Sequence, residues 1–153
     1  MARTRASRIY RRILHPSDFS SAARPAFRKA VALAKAKGAE VLVVHVLPVL
    51  PIFPETYLAE RTYNELLEAQ RARGRKQLDR LVANAQAAGV RASGILLDFA
   101  IPADRIVRLA KSHRADVIVM GTHGRTGFRR AFMGSVAARV IAFAPCPVLT
   151  VRA

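Results

Sequence analysis

Residues 121–135, GTHGRTGFRRAFMGS, combine residue types that are suited to binding phosphate. Gly121, Gly124 and Gly134 carry no Cβ atom, so the backbone there can adopt positive φ angles and approach a ligand closely. Ser135 opens a segment with helical periodicity, where unpaired N–H groups and the helix dipole favour an anion. The same segment holds three arginines, Arg125, Arg129 and Arg130. We interpret it as a phosphate-binding loop; a plain turn with a solvated basic rim is the alternative.

A carboxylate can face this loop across the sheet. Asp18 closes the apolar run ILHPSD and precedes a helical segment, so it could simply cap that helix. In an open parallel sheet, however, ligands bind outside the carboxyl ends of the strands, where the strand order reverses. A strand order of 3-2-1-4-5 would place Asp18 opposite Gly121, and we therefore favour contact with a ligand.

The four histidines predict no metal site. His15 and His45 lie in or beside apolar strands, where a histidine that is hydrogen-bonded within the core is more common than a metal ligand. His123 lies inside the glycine loop, where contact with phosphate and absence of contact are both compatible with the sequence. His113 lies at the end of a helical segment, where a positive charge complements the helix dipole.

The elements that position these residues follow from the alternation of apolar runs with helical patterns. This order predicts parallel strands joined by right-handed crossovers. We expect an α/β fold over residues 1–153: a single domain with an open five-stranded parallel sheet, order 3-2-1-4-5, helices on both faces, and a basic N-terminal arm at 1–8. The predicted strands are 11–18, 40–46, 91–98, 115–121 and 147–151, and the predicted helices are 20–38, 57–88, 102–113 and 135–144.

The composition favours a soluble cytoplasmic protein with anionic partners. Lys and Arg number 26 against 10 Asp and Glu, giving a net charge of +16. The positive residues are scattered along the chain, so a generally basic surface is the simpler reading, and binding of nucleic acid or acidic lipid is the alternative. A membrane span would need an uncharged apolar run of about 18 residues, and the sequence has none of that length. The N-terminal residues lack the apolar region of a secretory signal, and Cys146 has no second cysteine with which to form a disulfide.

Gly121, Gly124, Gly134 and Ser135 form the pattern GxxGx9GS, which resembles the nucleotide-binding signature of the universal stress protein (UspA-like) family, ATP-binding branch. Four further segments resemble the family in the right order: ILHPSDFS, VVHV, ADVIVMGTHGRTG and APCPVLTVR. The resemblance covers almost the whole chain. It implies a Rossmann-like fold, similar to that of the adenine nucleotide alpha hydrolases.

The resemblance also implies a role for each matching residue. On the adenosine side, the implied contacts are Pro16, Ser17 and Asp18 with adenosine, Val46 with adenine, and Met120 and Gly121 with ribose. On the phosphate side, they are His123 and Gly124 with the phosphates, and Gly134, Ser135 and Val136 with the phosphate tail. Arg125 adds positive electrostatic potential near the phosphates. Two residues depart from the family pattern. Ala137 stands where many members have a hydroxyl, which implies a missing phosphate contact, and Ala100 stands where members often have glycine, which alters a turn.

The resemblance implies an ATP-binding stress-response switch or sensor that acts as a homodimer. Neither a GxxxxGK[ST] loop nor an acidic pair placed to hold Mg²⁺ is evident, so we expect ATP, with or without Mg²⁺, to be bound rather than turned over rapidly. The first alternative is a slow ATPase in which Asp18 or His123 orients water. The second is a basic nucleic-acid-associated stress protein, which we rank last because no recognition-helix module or aromatic stacking pair is evident.

The last predicted strand, PVLTV, would form an edge of the sheet. Exposed apolar edges are usually paired or covered. Members of the family commonly dimerise at this edge, so the resemblance implies a symmetric homodimer through Val148–Val151.

Overall fold

The computed structural model describes residues 10–49, 60–98, 100–124 and 133–153, so the predicted N-terminal arm and Arg125 lie outside the described residues. Within these ranges, strands and helices alternate as predicted. The elements are β1 (Arg12–Pro16), α1 (Arg24–Lys37), β2 (Glu40–Val46), α2 (Glu60–Ala87), β3 (Arg91–Leu97), α3 (Pro102–Ser112), β4 (Val117–Gly121), α4 (Ser135–Phe143) and β5 (Val148–Val151). A short 3-10 turn, Ser21–Ala23, leads into α1.

The five strands form one parallel sheet in the order β3-β2-β1-β4-β5, which confirms the predicted fold class and topology. Leu14 of β1 lies opposite Leu42 of β2 on one side and opposite Ile118 of β4 on the other. The strand order reverses between β1 and β4, because β2 and β3 extend the sheet in one direction and β4 and β5 in the other. The carboxyl ends of β1 and β4 therefore flank the crevice that open α/β sheets use for ligands.

The sheet has a hydrophobic core on each face. Because successive strand residues point to opposite faces, Val41 and Val43 pack with α1 and α2, whereas Leu42 and Val44 pack with α3 and α4. Burial on both faces explains why β2 is apolar at nearly every position. The same alternation directs Val46 to the face of α3 and α4.

Helix α2 packs on the sheet along part of its length. Leu78 is fully buried, but Leu66 is 45% exposed, so the apolar residues of this helix are not buried along its whole length. A Cβ atom at Gly74 would lie 3.1 Å from Leu47 Cδ2 and 3.2 Å from Leu96 Cδ1. The glycine in the middle of this helix is therefore explained by close packing against neighbouring leucines.

The helices begin and end at residues that the sequence marks. Helices α1 and α3 each have a proline in the first turn, Pro25 and Pro102, where no backbone N–H is required. Helix α1 ends at Gly38, which has a φ of 64° and donates its N–H to the carbonyl of Ala34. None of the described helices combines the length and apolar character needed to cross a membrane.

Candidate functional site

The carboxyl ends of β1 and β4 and the amino end of α4 surround a cavity of about 380 Å³. Eleven of the twelve predicted site residues line it: Pro16, Ser17, Asp18, Val46, Met120, Gly121, His123, Gly124, Gly134, Ser135 and Val136. The twelfth, Arg125, lies outside the described residues. Residues from three separate parts of the chain thus meet at the crevice where the strand order reverses.

Sequence reasoning missed part of the cavity wall. The additional lining residues are Ala23, Val44, His45, Pro48, Pro102, Ile106 and Thr122, together with Ala137, which the sequence places near the phosphates only as a departure from the family pattern. Val44 could have been found, because it lies two residues before Val46 and points to the same face of the sheet. Pro102 and Ile106 depend on how α3 lies across the sheet, which local spacing does not determine.

Asp18 is held in one orientation by the residues that follow it. Its Oδ1 atom accepts hydrogen bonds from the backbone N of Ser20 at 3.0 Å and from Ser20 Oγ at 2.6 Å. Ser20 Oγ in turn accepts from the backbone N of Ala23 at 3.2 Å and caps the 3-10 turn. Ser20 and not Asp18 therefore caps the 3-10 turn that leads into α1, and the carboxylate of Asp18 reaches the cavity.

The turn after β1 is also tied to β2. His45 Nδ1 lies 2.7 Å from the carbonyl oxygen of Ser17, and because a carbonyl can only accept, Nδ1 is the donor. The ring centroids of His45 and Phe19 are 4.2 Å apart. Phe19 has a φ of 63°, a left-handed conformation that is rare for a bulky residue and that persists only where the surroundings enforce it. These contacts fix the turn that presents Asp18.

The glycines of the loop allow close backbone approach without unusual backbone angles. A Cβ atom at Gly124 would lie 2.9 Å from Asp18 Oδ2, and one at Gly134 would lie 3.2 Å from the carbonyl oxygen of Thr122. The glycines with positive φ in the described residues are Gly38 and Gly89, so the positive φ envisaged for the loop glycines is not observed. A side chain at Gly124 would meet the Asp18 carboxylate across the cavity, and one at Gly134 would crowd the backbone of the loop itself.

Helix α4 presents its amino end to the cavity. Gly134 occupies the N-cap position with φ −61° and ψ 151°, and no side chain caps the helix. The first N–H groups of a helix have no partner within the helix and carry the positive end of its dipole. Gly134 is held in place because its own N–H donates to the carbonyl of Thr122 at 2.7 Å. This end of the cavity suits an anion.

His15 is a core residue that does not line the cavity. Its Nδ1 donates to the carbonyl oxygen of Val119 at 2.8 Å, and its ring centroid lies 5.5 Å from that of Phe27. Burial lowers the pKa of His15 from 6.5 to about 4, against smaller opposing contributions from the Val119 hydrogen bond and the charge of Asp18. His15 Nε2 has no hydrogen-bond partner among the described residues. The structural role predicted for this histidine agrees with these contacts.

A larger depression, of about 650 Å³, lies along the exposed side of α2. Its described lining residues, Arg61, Asn64, Glu65 and Glu68, all belong to α2. The smaller cavity at the sheet brings together described residues from several strands and helices, and it is therefore the better candidate site.

The cavity combines three chemical environments. Val44, Val46 and Ile106 form an apolar wall suited to a flat hydrophobic group. Asp18 is the only carboxylate lining the cavity within the described ranges, and it can accept hydrogen bonds from hydroxyl or amino groups. The amino end of α4 attracts a negative group at the other end. No cluster of three or more potential metal-ligating side chains occurs in the described part of the chain.

Comparison of the sequence with protein families gives a match to the universal stress protein family over residues 9–152. Among curated relatives, universal stress protein MJ0531 of Methanocaldococcus jannaschii is 37% identical over 144 residues, which cover 94% of this chain and 83% of that protein.

Solved structures give the same result. The structure of MJ0577, also from Methanocaldococcus jannaschii, superposes with a TM-score of 0.81 at 30% identity, covering 95% of this chain and 97% of that one. A universal stress protein from Archaeoglobus fulgidus in complex with dAMP superposes with a TM-score of 0.65 at 29% identity, covering 94% of this chain and 99% of that one.

Proposed function

Because this chain belongs to the universal stress protein family, we propose that its cavity binds an adenine nucleotide, ATP in particular, and that the protein is a nucleotide-dependent switch or sensor in the stress response. The relative from Archaeoglobus fulgidus forms a complex with dAMP, which supports an adenine nucleotide as the class of ligand. ATP, rather than a monophosphate, is the ligand implied by the glycine and serine pattern of the loop.

The observation that carries the proposal is the meeting of Asp18, the loop glycines and the uncapped start of α4 around one cavity. In this proposal Asp18 accepts hydrogen bonds from adenosine. Val46 packs against the adenine ring. The backbone N–H groups beside Gly124 and at Ser135 donate to phosphate oxygens, and Arg125 adds positive charge near them.

Retention of ATP is favoured over rapid hydrolysis. Efficient phosphoryl transfer needs groups that hold Mg²⁺ and orient the attacking nucleophile. The described cavity wall has one carboxylate, that of Asp18, and His123 is the other titratable group near the phosphate end. Slow hydrolysis through one of these two groups is the alternative. It predicts turnover that exceeds the turnover of a variant with a closed cavity.

We further propose that the protein is a homodimer formed through β5, Val148–Val151. This strand is an edge of the sheet, and Leu149 is 37% exposed on it. Ile141 and Phe143, at the end of the preceding helix α4, are also exposed. Pairing of two edge strands around a two-fold axis would satisfy their backbone groups and cover these apolar side chains.

Nucleotide content and binding test the proposed ligand. One portion of freshly purified protein is denatured by heat, and the released small molecules are separated by chromatography. ATP binding to a second, folded portion, from which bound nucleotide has been removed without denaturation, is measured by calorimetry. We expect ATP at close to one per chain or tight binding of added ATP. Protein that is empty and also fails to bind added ATP would exclude both the switch and the ATPase.

A matched pair of variants ties this binding to the cavity. Gly124→Val places a branched side chain where a Cβ alone would lie 2.9 Å from Asp18 Oδ2, so we expect the affinity for ATP to fall by more than about tenfold. Ala36→Val adds a similar volume on the exposed side of α1 and should leave the affinity unchanged. Equal affinities of the two variants would show that the nucleotide binds elsewhere.

A further inference from the structure

All charged residues on the exposed side of helix α1 are cationic. Its exposed charged residues are Arg24, Arg28, Lys29, Lys35 and Lys37, and the helix contains no aspartate or glutamate. None of the five is ion-paired with another described residue, whereas Arg12, Arg61, Arg71 and Arg139 are paired with carboxylates. The charge of α1 is therefore available to a partner.

The second half of α2 extends this cationic surface. Residues 71–87 contain four exposed cations, Arg73, Arg75, Lys76 and Arg80, against one exposed acid, Asp79. Helices α1 and α2 pack on the same face of the sheet through one shared core. Because both helices cover the same face of the sheet, their outer surfaces face the same direction. We call this surface, the exposed side of α1 with residues 71–87 of α2, the α1–α2 face.

The opposite face of the sheet has a different character. Arg139 of α4 is paired there with Asp104 of α3 at 2.9 Å, which neutralises one cation. The large exposed apolar residues Ile141 and Phe143 also belong to that side. Helix α3 also has exposed cations, Arg105, Arg108 and Lys111, so the α1–α2 face differs from this side in lacking large exposed apolar residues and not in being cationic.

We propose that the α1–α2 face binds the phosphate backbone of double-helical nucleic acid. Within residues 24–37 and 71–87 no large apolar side chain is exposed, so the face lacks the groups that would insert into a lipid surface or form the apolar centre of a protein interface. Single strands are bound mainly by stacking on exposed aromatic rings. The only aromatic residue in these two ranges is Phe27, which is packed into the core. A face that has exposed cations, but no large apolar or aromatic side chains exposed, is complementary to the regular array of phosphates on a double helix.

The expected salt dependence of duplex binding follows from the number of cations that contact phosphate. If the five cations of α1 each neutralise one phosphate, log K falls with log salt with a slope of about −4.5 on B-form DNA. Affinity should then decrease about 500-fold between 50 and 200 mM salt. Base sequence should have little effect, because phosphate contacts carry no sequence information.

The test compares two variants that lose the same net charge. Binding of a labelled duplex of about 20 base pairs is measured by fluorescence anisotropy from 50 to 200 mM salt. Arg28→Gln with Lys35→Gln should make the slope shallower by about 2 and weaken binding at 50 mM salt. Arg105→Gln with Arg108→Gln, on the exposed side of α3, should leave the slope unchanged. Equal losses in the two variants would mean that net charge alone drives binding, and would overturn the proposal.

Two further probes identify the partner. A single strand of the same length and sequence should bind more weakly than the duplex, and vesicles containing phosphatidylserine should bind more weakly than either. Absence of duplex binding at 50 mM salt, or tighter binding of the single strand or the vesicles, would overturn the proposal. Gly124→Val should retain duplex binding, so the result is independent of the proposed nucleotide cavity.

Discussion

Acid should destabilise this protein through the buried histidine of β1. His15 is completely buried, and burial lowers its pKa from 6.5 to about 4. The neutral ring donates from Nδ1 to the carbonyl of Val119, and a second proton would have to be placed on Nε2, which has no partner among the described residues. Protonation therefore opposes the folded state.

The magnitude follows from the difference between the two pKa values. In the unfolded chain His15 takes up its proton near pH 6.5, and in the folded chain only near pH 4. Between these values the unfolded state binds more protons, so the free energy of unfolding falls as the pH falls. A difference of about 2.5 in pKa corresponds to about 3 kcal/mol. This contribution is fully present above pH 6.5 and is lost between pH 6.5 and 4.

Urea unfolding at intervals from pH 7.5 to 4 measures this contribution when the native chain is compared with His15→Asn. Asparagine keeps an N–H donor near the position of Nδ1 but cannot titrate. The asparagine side chain is smaller than histidine beside Phe27, so the variant is less stable at every pH. This loss does not change how the free energy of unfolding depends on pH. The stability difference between the two proteins should shrink by about 3 kcal/mol on acidification. His113→Asn, at the end of α3, serves as the control. Parallel pH profiles for the native chain and His15→Asn would refute the reasoning.

Three further predictions follow from single contacts. Ala137→Ser restores a hydroxyl at the start of α4 and should tighten ATP binding about threefold to tenfold by calorimetry, whereas Ala138→Ser, on the exposed side, should not. Gly94→Ala places a Cβ 2.9 Å from Leu78 Cγ and should destabilise the fold by about 1–3 kcal/mol in urea unfolding; a neutral result would contradict the packing described for α2. Leu149→Lys would place a positive charge on each of two paired β5 strands, so light scattering should report a monomer for this variant, whereas we expect a dimer for the native chain.

The fold was predictable from the sequence because its signals are local. Each strand is a short apolar run, and prolines and glycines such as Pro102 and Gly38 mark helix ends with residues that suit those positions. The strand order needed more than this. It rested on Asp18 and Gly121, which make a site only if β1 and β4 are neighbours.

The sequence predicted which residues form the site better than it predicted the contacts that constrain them. The loop glycines were expected to supply positive φ, but the constraint at Gly124 is the distance to Asp18, a residue more than a hundred positions away in the chain. Local sequence cannot give such a distance. The left-handed Phe19 was not foreseen for a similar reason, because its conformation depends on packing against His45 from another strand. Ser20 was not recognised as the cap because Asp18, two residues earlier, has an equally suitable side chain.

The proposed nucleotide site and the proposed dimer edge are joined by two backbone hydrogen bonds. Thr122 donates its N–H to the carbonyl of Val151 in β5 at 3.1 Å, and its own carbonyl accepts from Gly134 at 2.7 Å. A phosphate that orders the start of α4 would therefore act on the residue that holds the end of the edge strand. We hypothesise that ATP shifts the dimer equilibrium by this route, and linkage then requires dimerisation to change the affinity for ATP by the same factor. Sedimentation over a range of protein concentrations, with and without ATP, measures the effect. A dimer dissociation constant that is identical in both conditions would show that the two sites are independent.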